Sequence, residues 1–552
     1  MMNKILSLAL ALFSASAIIS CSRNEDSFGE YLIPYSQTAP RDGMALESPL
    51  WKVIPPVTGF HAPWSGLDDS TSFRCFATDS LFFFRFDVVE GSLALVEDFK
   101  DEMDVGPEDR VEIFFAPTVE LGEYIGAEMD PAGRVLDYEC TFYRQFDYSW
   151  NFTTLSYSHV ISGDGYSVAG CVSREELEKH GVDIGKGFRM GVFRADFRPD
   201  GEVTWYSMKG TDDKKPDFHQ PKVFFDARVD KEGFFSMRGA VLSVQDLASV
   251  DWPAIAHQNG INTIGTHMKP GEVMDFMQSD KGRHFSEECR RLGIEVEHQL
   301  HAMAELLPRD LFDEDPSMFR MDADGHRTPD SNCCPHSEKA LEIIAAKAAE
   351  FAKALPATNH RYYFWLDDGA PVCFCPECSE YSASEQALII ENRMIKAIRE
   401  VDPEAMLAHL AYHSTMEPPV KVKPEEGIFL EFAPIERQWD RPLTDLDAPG
   451  RKGRMAHREV IELLEANLKV FPAETAVVLE YWLDVSLASD WKKPAVNLPW
   501  HPGPFASDLA TYAGYGIRNV TSFAVYMDST YFRSFPGQQC LSDYGGMLGL
   551  YR

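Results

Sequence analysis

Two adjacent acidic residues, Asp367 and Asp368, follow the aromatic segment RYYFW and precede a glycine. Three cysteines come next in the pattern C-x-C-x-x-C: Cys373, Cys375 and Cys378. Two neighbouring carboxylates suit acid–base chemistry, because like charges at close range favour keeping one of the two groups protonated. The segment therefore predicts either a pair of working acids on a loop that cysteines hold, or a cysteine metal site with incidental acids.

Three interpretations of these cysteines stay open. The C-x-C-x-x-C thiolates, completed by Cys333, Cys334 or His336, could form a structural zinc site, because zinc prefers sulfur and imidazole ligands in tetrahedral geometry. Two of the thiols could instead form a disulfide in an exported protein, or all of them could be reduced packing residues. None of these interpretations gives catalysis a cofactor, and the zinc would only hold the loop.

Residues 234–552 alternate between short apolar segments and longer amphipathic ones. The longer segments repeat apolar residues at intervals of three and four, which is typical of α-helices. The link after the fifth apolar segment, 414–427, has too many prolines for a long helix. Eight β/α-like repeats predict a TIM barrel, with a doubly wound sheet as the alternative. The eight strand-like segments are 237–244, 261–268, 294–302, 361–368, 406–413, 427–434, 476–484 and 520–528.

The ends of these predicted strands carry the polar residues that could act on a substrate. Active sites of TIM barrels lie at the C-terminal ends of the strands. Carboxylates and aromatic residues meet there, and glycosidases use this combination, because acids protonate the leaving oxygen and aromatic rings stack against sugars. We therefore predict a glycosidase-like site on this rim. Its residues are His298, His301, Asp367, Asp368, Tyr412, His413, Glu431, Glu480, Tyr481, Trp482, Asp484, Tyr526 and Asp528.

Three segments around the paired acids resemble the family known as domain of unknown function 4838, which includes glycoside hydrolase family 163. They are SNCCPHSEKALEII (331–344), DDGAPVCFCPECSEY (367–381) and LAHLAYHSTMEPP (407–419). The cysteine loop is the most specific of the three. The resemblance implies an endo-β-N-acetylglucosaminidase that acts on N-glycans or glycoproteins with substrate-assisted retention of configuration.

Substrate assistance would explain why two acids are adjacent. The acetamido oxygen of the sugar attacks the anomeric carbon, one carboxylate orients the acetamide N–H, and its neighbour protonates the leaving oxygen. In this scheme Asp368 is the acid and Asp367 is the acetamide partner. Tyr412, Tyr481 or Tyr526 would hold the acetamide oxygen. The predicted substrate-binding residues are His301, Tyr412, His413, Trp439, Tyr481, Trp482, Tyr526 and Asp528.

Two alternatives stay open. The family pattern secures the aspartate next to glycine, Asp368, but not its neighbour Asp367. Asp368 could instead work with Glu480 of the seventh strand, with Glu431 as a further candidate, as in α-glucuronidase-like or β-glycosidase barrels that use two opposed carboxylates. The other alternative belongs to a different class of protein, a non-catalytic surface lipoprotein that binds glycans.

Residues 31–230 contain many short alternating segments separated by turn residues, which predicts an antiparallel β-sandwich. An ordered set of pieces there resembles the family 9 carbohydrate-binding-module-like domain: LFFFRFDV, EDRVEIFFAP, GYSVAGCVSREEL, RMGVFRADF and PDFHQPKVFF. The resemblance implies sugar binding by stacking on aromatic faces. The candidate rings are Trp51, Trp64, Trp150 and Trp205, and each of them could equally be part of the core.

Residues 1–20 predict a secretory signal, with an early lysine, an apolar run and small residues. The run ends in Ile-Ile-Ser-Cys21, which resembles a bacterial lipobox and implies lipidation of Cys21, followed by a polar tether over residues 21–30. We therefore predict an exported lipoprotein on the outer membrane or cell surface, with a periplasm-facing orientation as the alternative. Its membrane attachment would be the lipid anchor alone.

The composition narrows the range of partners. A net charge of −34 excludes nucleic acid, because phosphate binding needs a basic surface. The same charge disfavours adhesion to anionic lipid. With 552 residues, of which 45% are hydrophobic, the chain can form two or more packed domains. Glycans or glycoproteins are the predicted partners.

Overall fold

The computed structural model describes residues 29–40, 46–62, 65–209 and 215–552. The predicted signal peptide, the lipidation site Cys21 and the candidate ring of Trp64 lie outside the described residues. The chain forms two compact units, one built on Pro55–Asp230 and the other on Lys231–Arg552. Within the described ranges, none of the helices is long and apolar enough to cross a membrane.

Two antiparallel sheets form the first unit, as the alternating segments predict. A short helix, α1 (Arg174–Lys179), follows the eleventh strand. The strands are β1 (Tyr31–Pro34), β2 (His61–Ala62), β3 (Leu67–Asp68), β4 (Ser72–Ala77), β5 (Leu81–Val89), β6 (Arg110–Ala116), β7 (Glu123–Met129), β8 (Val135–Thr141), β9 (Gln145–Asp147), β10 (Ser156–Ser162), β11 (Gly165–Ser173), β12 (Phe188–Phe197), β13 (Val203–Ser207) and β14 (Phe225–Asp230).

The larger of these sheets has ten strands and the smaller has four. The larger sheet runs in the order β3-β2-β13-β12-β6-β7-β8-β9, and β14 joins β12 to β1. The smaller sheet runs in the order β10-β11-β5-β4. Phe82 of β5 meets Phe115 of β6 and Phe188 of β12 edge-on, with ring centroids 5.4 and 6.5 Å apart. Aromatic rings therefore join the two sheets, as in a β-sandwich.

Eight parallel strands close into a barrel in the second unit. They are β15 (Met237–Ser243), β16 (Thr263–Met268), β17 (Glu295–His301), β18 (Arg361–Trp365), β19 (Met406–Ala411), β20 (Ile428–Phe432), β21 (Val477–Glu480) and β22 (Asn519–Phe523). Seven of them lie within a strand-like segment of the sequence, and β22 begins one residue before its segment. β15 pairs with β22 to complete the ring. The predicted TIM barrel is therefore confirmed, and the doubly wound alternative is excluded.

Helices follow most of the barrel strands. Ser382 caps the helix Ala383–Ile398 reciprocally with Glu385, which is a strong start signal. The proline-rich link after β19 contains one 3₁₀ turn, His413–Thr415, and no α-helix, as the sequence predicts. The helices are α2 (Val244–Leu247), α3 (Trp252–Gln258), α4 (Pro270–Gln278), α5 (Asp280–Leu292), α6 (Met303–Leu306), α7 (Glu338–Ala354), α8 (Ala383–Ile398), α9 (His457–Asn467), α10 (Val485–Ala488), α11 (Pro502–Gly514), α12 (Ser529–Ser534) and α13 (Gln539–Leu550).

Two segments from early in the sequence, Pro34–Pro40 and Glu47–Ile54, belong to the second unit. The Thr38 hydroxyl donates to a carbonyl oxygen in α13 at 3.2 Å. A Cβ atom at Gly546 of α13 would come within 2.9 Å of Leu50, so glycine is what permits this close approach. The range 31–230 predicted for the sandwich includes both segments, but their apolar side chains contact the last barrel helix instead.

Candidate active site

Asp368 lies on the rim of the barrel, three residues after β18 ends, and it is the most exposed of the predicted catalytic acids. Its side chain is 64% exposed. His301, the last residue of β17, places Nε2 at 3.9 Å from Asp368 Oδ1. This distance is longer than a direct hydrogen bond. Asp368 is therefore open to a ligand that approaches the rim.

The neighbouring acid, Asp367, is held by the long loop between β17 and α7. Arg309 forms an ion pair with Asp367 Oδ2, and the backbone N–H of Asn332 donates to the same oxygen at 2.6 Å. The N–H of Asp367 in turn donates to Asn332 Oδ1 at 2.9 Å. The two adjacent acids thus have unlike surroundings. Asp367 is held by Arg309 and Asn332, whereas Asp368 is mostly exposed and contacts the Tyr412 hydroxyl.

His301 is oriented by a backbone carbonyl. Its Nδ1 lies 2.7 Å from the oxygen of Leu366, and a carbonyl can only accept, so Nδ1 carries a proton and Nε2 is turned toward Asp368. His267 of β16 lies beside it, with ring centroids 5.9 Å apart. Burial, and then the nearby His301, lowers the pKa of His267 to about 4. His267 is therefore neutral at pH 7.

Tyr412 and His413 follow β19 in a strained turn. His413 has a φ of +47°, in the left-handed region that few non-glycine residues adopt. Its Nδ1 lies 2.9 Å from a carboxylate oxygen of Glu436, and its ring lies 4.0 Å from that of Tyr412. Burial, and then the nearby carboxylate of Asp368, raise the pKa of the Tyr412 phenol. Tyr412 is thus a protonated hydroxyl beside Asp368.

Five predicted or neighbouring residues meet around one small pocket at this point of the rim: His301, Trp365, Asp367, Tyr412 and His413. Its volume is about 30 Å³, which holds one or two water-sized groups and not a sugar ring. The pocket therefore matches a substituent of a sugar, such as an acetamide, more closely than the sugar itself.

Glu480, at the end of β21, is enclosed rather than exposed. Arg437 and Glu480 form an ion pair at 2.8 Å, and the side chains of both residues are 0% exposed. Trp439 Nε1 and the Tyr512 hydroxyl donate to the remaining carboxylate positions, at 2.8 and 2.5 Å. Burial raises the pKa of Glu480. The arrangement fits a residue that positions Trp439 and Arg437, because no face of the carboxylate reaches solvent.

Glu431 and His298 also lie inside the barrel. Trp365 Nε1 donates to Glu431 Oε2 at 2.7 Å, and the other oxygen has no hydrogen-bond partner among the described residues. Burial raises the pKa of Glu431 well above its ordinary value. His298 Nδ1 lies 2.8 Å from the hydroxyl of Thr266, and burial lowers its pKa to about 4. Both residues are beneath the rim.

A larger cavity, of about 430 Å³, opens beside the ends of β20 and β21. Three aromatic side chains, Trp439, Tyr481 and Trp482, contribute to its wall. Trp439 and Tyr481 meet with ring centroids 5.8 Å apart, and Arg451 lies over the Trp439 ring at 5.4 Å. Its lining residues are Gln438, Trp439, Asp440, Arg451, Lys452, Tyr481, Trp482, Asp484, Leu487, Ala488, Leu498, Pro499 and His501. A volume of this size and aromatic walls match a bound saccharide.

Asp484 lies on the wall of this larger cavity. One of its oxygens caps α10, accepting the N–H groups of Ser486 and Leu487 at 2.9 and 3.1 Å. Burial raises the pKa of Asp484 to about 6. Its carboxylate also contributes to the raised pKa of the Tyr412 phenol, after burial and the nearer acids. Tyr412 is therefore a neighbour common to Asp484 and Asp368.

Tyr526 and Asp528, beyond β22, have structural contacts. Asp528 caps α12 through the N–H groups of Thr530 and Tyr531, both at 2.9 Å, and Lys493 binds its second oxygen at 2.5 Å. Tyr526 has a φ of +76°, and its hydroxyl lies 3.3 Å from the carbonyl oxygen of Trp491. Neither residue lines the two pockets described above.

The sequence-based prediction gave no role to Arg437, His267 or Arg309. Arg437 joins Glu480 to Asp508, which it binds at 2.6 Å, and it comes from an irregular loop without a motif. Arg309 begins a short 3₁₀ turn, Arg309–Phe312, in the connection before α7. His267 is the penultimate residue of the second strand, and His301 ends the third, so the position near a strand end was a usable signal. Asp484 was placed on the rim but given no catalytic role.

Four cysteine thiols meet beneath the loop that carries the paired acids. They are Cys334, Cys373, Cys375 and Cys378, and all are buried. Cys333, in contrast, is buried outside this group. The group therefore takes the second of the adjacent cysteines, a choice that the sequence left open.

Three of the four candidate sugar-binding rings, Trp51, Trp150 and Trp205, lie within the described residues, and each packs against other side chains. Trp205 packs on the aromatic core, with Arg110 over its ring at 5.2 Å. Trp150 meets Phe152 edge-on at 4.8 Å. Trp51 is buried and belongs to the second unit. These contacts fit the interpretation of the rings as packing residues.

Comparison with curated proteins finds no match to the sequence. Among solved structures, a putative carbohydrate-binding protein from Bacteroides uniformis ATCC 8492 is similar at 16% identity and a TM-score of 0.32, over 37% of this chain and 99% of that one. A family 9 carbohydrate-binding module from Caldicellulosiruptor kristjanssonii, in complex with glucose, is similar at 11% identity and a TM-score of 0.25, over 37% and 94% of the two chains.

A glycoside hydrolase family 20 β-N-acetylglucosaminidase is similar to the chain at 11% identity and a TM-score of 0.35, over 63% of this chain and 73% of that one. The structural neighbours thus include carbohydrate-binding proteins and glycoside hydrolases, at a similarity that carries no argument about activity. The predicted resemblance to domain of unknown function 4838 is confirmed: residues 215–464 match the family described as Domain of unknown function (DUF4838).

Proposed function

We propose that the protein is a glycoside hydrolase of the substrate-assisted, retaining kind, an endo-β-N-acetylglucosaminidase-like enzyme that acts on N-glycans or glycoproteins. The observation that supports this proposal is the unlike environment of two adjacent rim carboxylates. Asp367 is 19% exposed and bound by Arg309 and Asn332, whereas Asp368 is 64% exposed and has the Tyr412 hydroxyl as its hydrogen-bond partner. Two acids held differently at one rim suit two different roles in one reaction.

In the proposed first step, the acetamido oxygen of the sugar attacks the anomeric carbon while the glycosidic C–O bond breaks. Asp368 gives its proton to the leaving oxygen. The fixed carboxylate of Asp367, on the wall of the small pocket, accepts the acetamide N–H and so directs the attacking oxygen. The protonated hydroxyl of Tyr412 lies on the same wall and would hold the acetamide.

In the second step, water attacks the anomeric carbon of the cyclic intermediate, and Asp368, now a carboxylate, accepts the proton of that water. The bond between the acetamido oxygen and the anomeric carbon breaks, which restores the acetamide. Two displacements at one carbon retain its configuration. His301 Nε2 lies 3.9 Å from Asp368 and would interact with its carboxyl group in both proton transfers.

The aromatic cavity beside β20 and β21 supplies the second half of the proposal. Trp439 and Tyr481 offer ring faces for a sugar, and Tyr412 is a neighbour of both Asp368 and the cavity residue Asp484. A glycan could therefore extend from the acetamide pocket along the rim into this cavity. The opposed-carboxylate scheme has less support, because Glu480 is enclosed by Arg437 and has no exposed surface.

The test is incubation of the lipid-free protein with N-glycoproteins and a glycan panel, with released sugars read by mass spectrometry and the configuration of the first product read by NMR. We expect retained configuration and a loss of about 10²–10⁴-fold in Asp368→Asn. Glu404→Gln is a control, because Glu404 is exposed and precedes β19 at the opposite end of the barrel. Full activity in Asp368→Asn would overturn the assignment.

A thiazoline analogue of the cyclic intermediate separates the two catalytic schemes. Tight inhibition is expected if the acetamide attacks, and inversion or a trapped glycosyl ester on Glu480 would point to opposed carboxylates instead. Glycan binding without turnover, unaffected by Asp368→Asn, would favour the glycan-binding protein. Export as a lipoprotein anchored through Cys21 is part of the same proposal, and mass spectrometry of the mature N-terminus tests it.

A further inference from the structure

Four cysteine thiols converge from two separate loops of the barrel unit. Cys334 lies in the loop before α7, whereas the C-x-C-x-x-C cysteines lie between β18 and α8. The four Sγ atoms all lie within 4.8 Å of one another, and each side chain is buried. Apart from the partly buried Met321, no apolar side chain among the described residues joins this cluster, so the thiols mainly contact each other.

The spacing of the sulfur atoms distinguishes a disulfide from a metal site. Cys334 Sγ lies 3.8 Å from the sulfur of Cys375 and 3.7 Å from that of Cys378. A disulfide needs sulfur atoms about 2.05 Å apart. A tetrahedron of four sulfur atoms with metal–sulfur bonds of about 2.3 Å has edges of about 3.8 Å. The thiols thus have the spacing of tetrahedral zinc ligands.

We propose that Cys334, Cys373, Cys375 and Cys378 bind one zinc ion in a closed, structural site. The site holds four thiolates and no open position, so it has no catalytic role. Cys333 and His336, which the sequence offered as alternatives for the fourth ligand, are not ligands in this proposal. Nothing in the proposal depends on the substrate of the barrel.

The surroundings of the thiols match the charge of such a site. Four thiolates around one zinc ion carry a net charge of −2, which needs nearby N–H donors. The backbone N–H of Met321 donates to Cys373 Sγ at 3.3 Å, and the Arg327 guanidinium donates to the same sulfur at 3.7 Å. His336 Nδ1 lies 3.2 Å from Cys378 Sγ. A neutral cluster of packed thiols would have no need of a cationic neighbour.

A buried glutamine fixes the loop that carries three of the ligands. Gln386 of α8 accepts the N–H of Cys373 at 3.1 Å and donates to the carbonyl oxygens of Cys373 and Cys378, at 3.0 and 3.1 Å. Residues that orient metal ligands in this way are common around zinc sites. The ligand loop is therefore held from the side of α8 as well as from the sulfur atoms.

The proposed ion would connect the two loops that position the acids. Asn332, two residues before Cys334, bonds to Asp367 through its backbone and its side chain and donates to the carbonyl oxygen of Pro371 at 2.9 Å. Cys373 follows two residues later on the same loop. We therefore expect loss of the metal to loosen the turn that contains Asp367 and Asp368.

The direct test is the metal content of the purified full-length protein, measured by plasma mass spectrometry, with X-ray absorption at the zinc edge. We expect about one zinc per chain and four sulfur neighbours at about 2.3 Å. Iron in place of zinc, disulfides linking any two of the four cysteines in peptide mapping, or a metal-free folded protein that takes up no added zinc under reducing conditions would each overturn the proposal.

Paired variants make the ligand assignment specific. Cys378→Ser is expected to lower zinc content by about tenfold or more, and Cys333→Ser, its matched control, is expected to keep the wild-type content. Equal losses in both variants would contradict the assignment of Cys334 over Cys333. If Cys378→Ser fails to fold, cobalt(II) substitution of the wild-type protein still decides, because the intensity of the sulfur-to-cobalt charge-transfer bands rises with the number of thiolate ligands. An intensity that corresponds to fewer than four thiolates would contradict the assignment.

Discussion

Asn332 and Asp367 are bonded to each other in both directions. The N–H of Asn332 donates to Asp367 Oδ2 at 2.6 Å, and the N–H of Asp367 donates to Asn332 Oδ1 at 2.9 Å. Asn332 adopts a φ of +47°, which asparagine tolerates better than most residues. This reciprocal pair ties the loop before α7 to the turn after β18, and so it decides which of the two adjacent acids is fixed.

Asn332→Ala should therefore disturb the acid-bearing turn. It removes two side-chain hydrogen bonds and places alanine in a left-handed conformation, and we expect unfolding to become easier by about 1–3 kcal/mol. We also expect kcat to fall more than KM rises, because Asp367 loses its orientation. Thermal unfolding and steady-state kinetics measure both effects. Asn332→Gly is the matched control, since it relieves the backbone strain but not the lost bonds, and full recovery in it would contradict this account.

Asp367→Asn and Asp368→Asn should both lower activity but differ in their effect on Tm. Asp368 is exposed, so its replacement should leave Tm nearly unchanged while activity falls by about 10²–10⁴-fold. Replacement of Asp367 leaves Arg309 without its carboxylate partner, so it should lower both Tm and activity. Differential scanning calorimetry and product release measure the two effects. A large drop in Tm for Asp368→Asn would argue against an exposed acid on the rim that has no structural role.

Glu480→Gln should act mainly on stability. The substitution removes one of the two carboxylates that bind Arg437, whose side chain is fully buried, and breaking such a pair commonly destabilises by about 3–5 kcal/mol. Denaturant unfolding measures this loss. Glu465→Gln removes a carboxylate that also accepts from a tyrosine hydroxyl but is exposed, so it should have little effect. An unchanged Tm with abolished activity would instead support Glu480 as a catalytic residue.

Trp439→Ala should weaken glycan binding. The ring of Trp439 lines the larger cavity, and loss of one stacking face is expected to raise Kd about tenfold, or about 1.4 kcal/mol. Trp439→Phe keeps a ring but removes the hydrogen bond to Glu480, so binding should fall less while stability falls more. Trp491→Ala, an exposed ring that does not line the cavity, is the control for calorimetric titration. Equal weakening in Trp491→Ala would place the glycan elsewhere.

The barrel should lose stability as the pH falls from about 6.5 to about 4. Burial lowers the pKa of His298 to about 4 in the folded protein, whereas an unfolded histidine titrates near 6.5. As the pH falls, the unfolded state takes up the His298 proton near pH 6.5 and the folded state only near pH 4. The free energy of unfolding is therefore highest above pH 6.5, and the contribution of His298 is lost by the time the pH has fallen through about 4. Integrated between these values it amounts to about 3 kcal/mol.

His298→Gln tests this source of acid sensitivity, because glutamine does not titrate. The unfolding free energy of the variant should depend less on pH between 4 and 6.5 than that of the wild type. His326→Gln, at an exposed position, should leave the dependence as it is in the wild type. Parallel curves for the wild type and His298→Gln would mean that other groups cause the acid sensitivity.

The barrel was predictable because its determinants are local. Strands buried on both faces show as short apolar runs, and the prolines between β19 and β20 prohibit a helix in a window of a few residues. Because active-site residues of barrels lie at the C-terminal ends of the strands, the sequence alone predicts that His301, Asp368 and Tyr412 share one rim. Each of these inferences needs only the sequence near one element.

The roles within the rim were not predictable in the same way. Asp367 and Asp368 are equivalent in the sequence, and the difference between them comes from Arg309 and Asn332 on another loop. From the sequence, Glu480 is a strand-end acid like the others. The structure shows that Arg437, from a loop without a motif, encloses it. Partners that are distant in sequence determine whether an acid is exposed or has a structural role. The residues next to that acid in the sequence do not indicate which partners it has.

The assignment of Pro34–Pro40 and Glu47–Ile54 to the second unit makes that unit discontinuous in sequence. The body of the first unit, Pro55–Asp230, is nested as an insertion between its parts. A protein that begins at residue 231 would therefore lack part of the barrel unit. Its helix α13 would lose the contacts with Thr38 and Leu50 of these two early segments, which together are called the strap. The glycines of α13 would then meet solvent. Excision of the insertion, with the strap rejoined to the first barrel strand by a linker, is the dissection that respects the architecture.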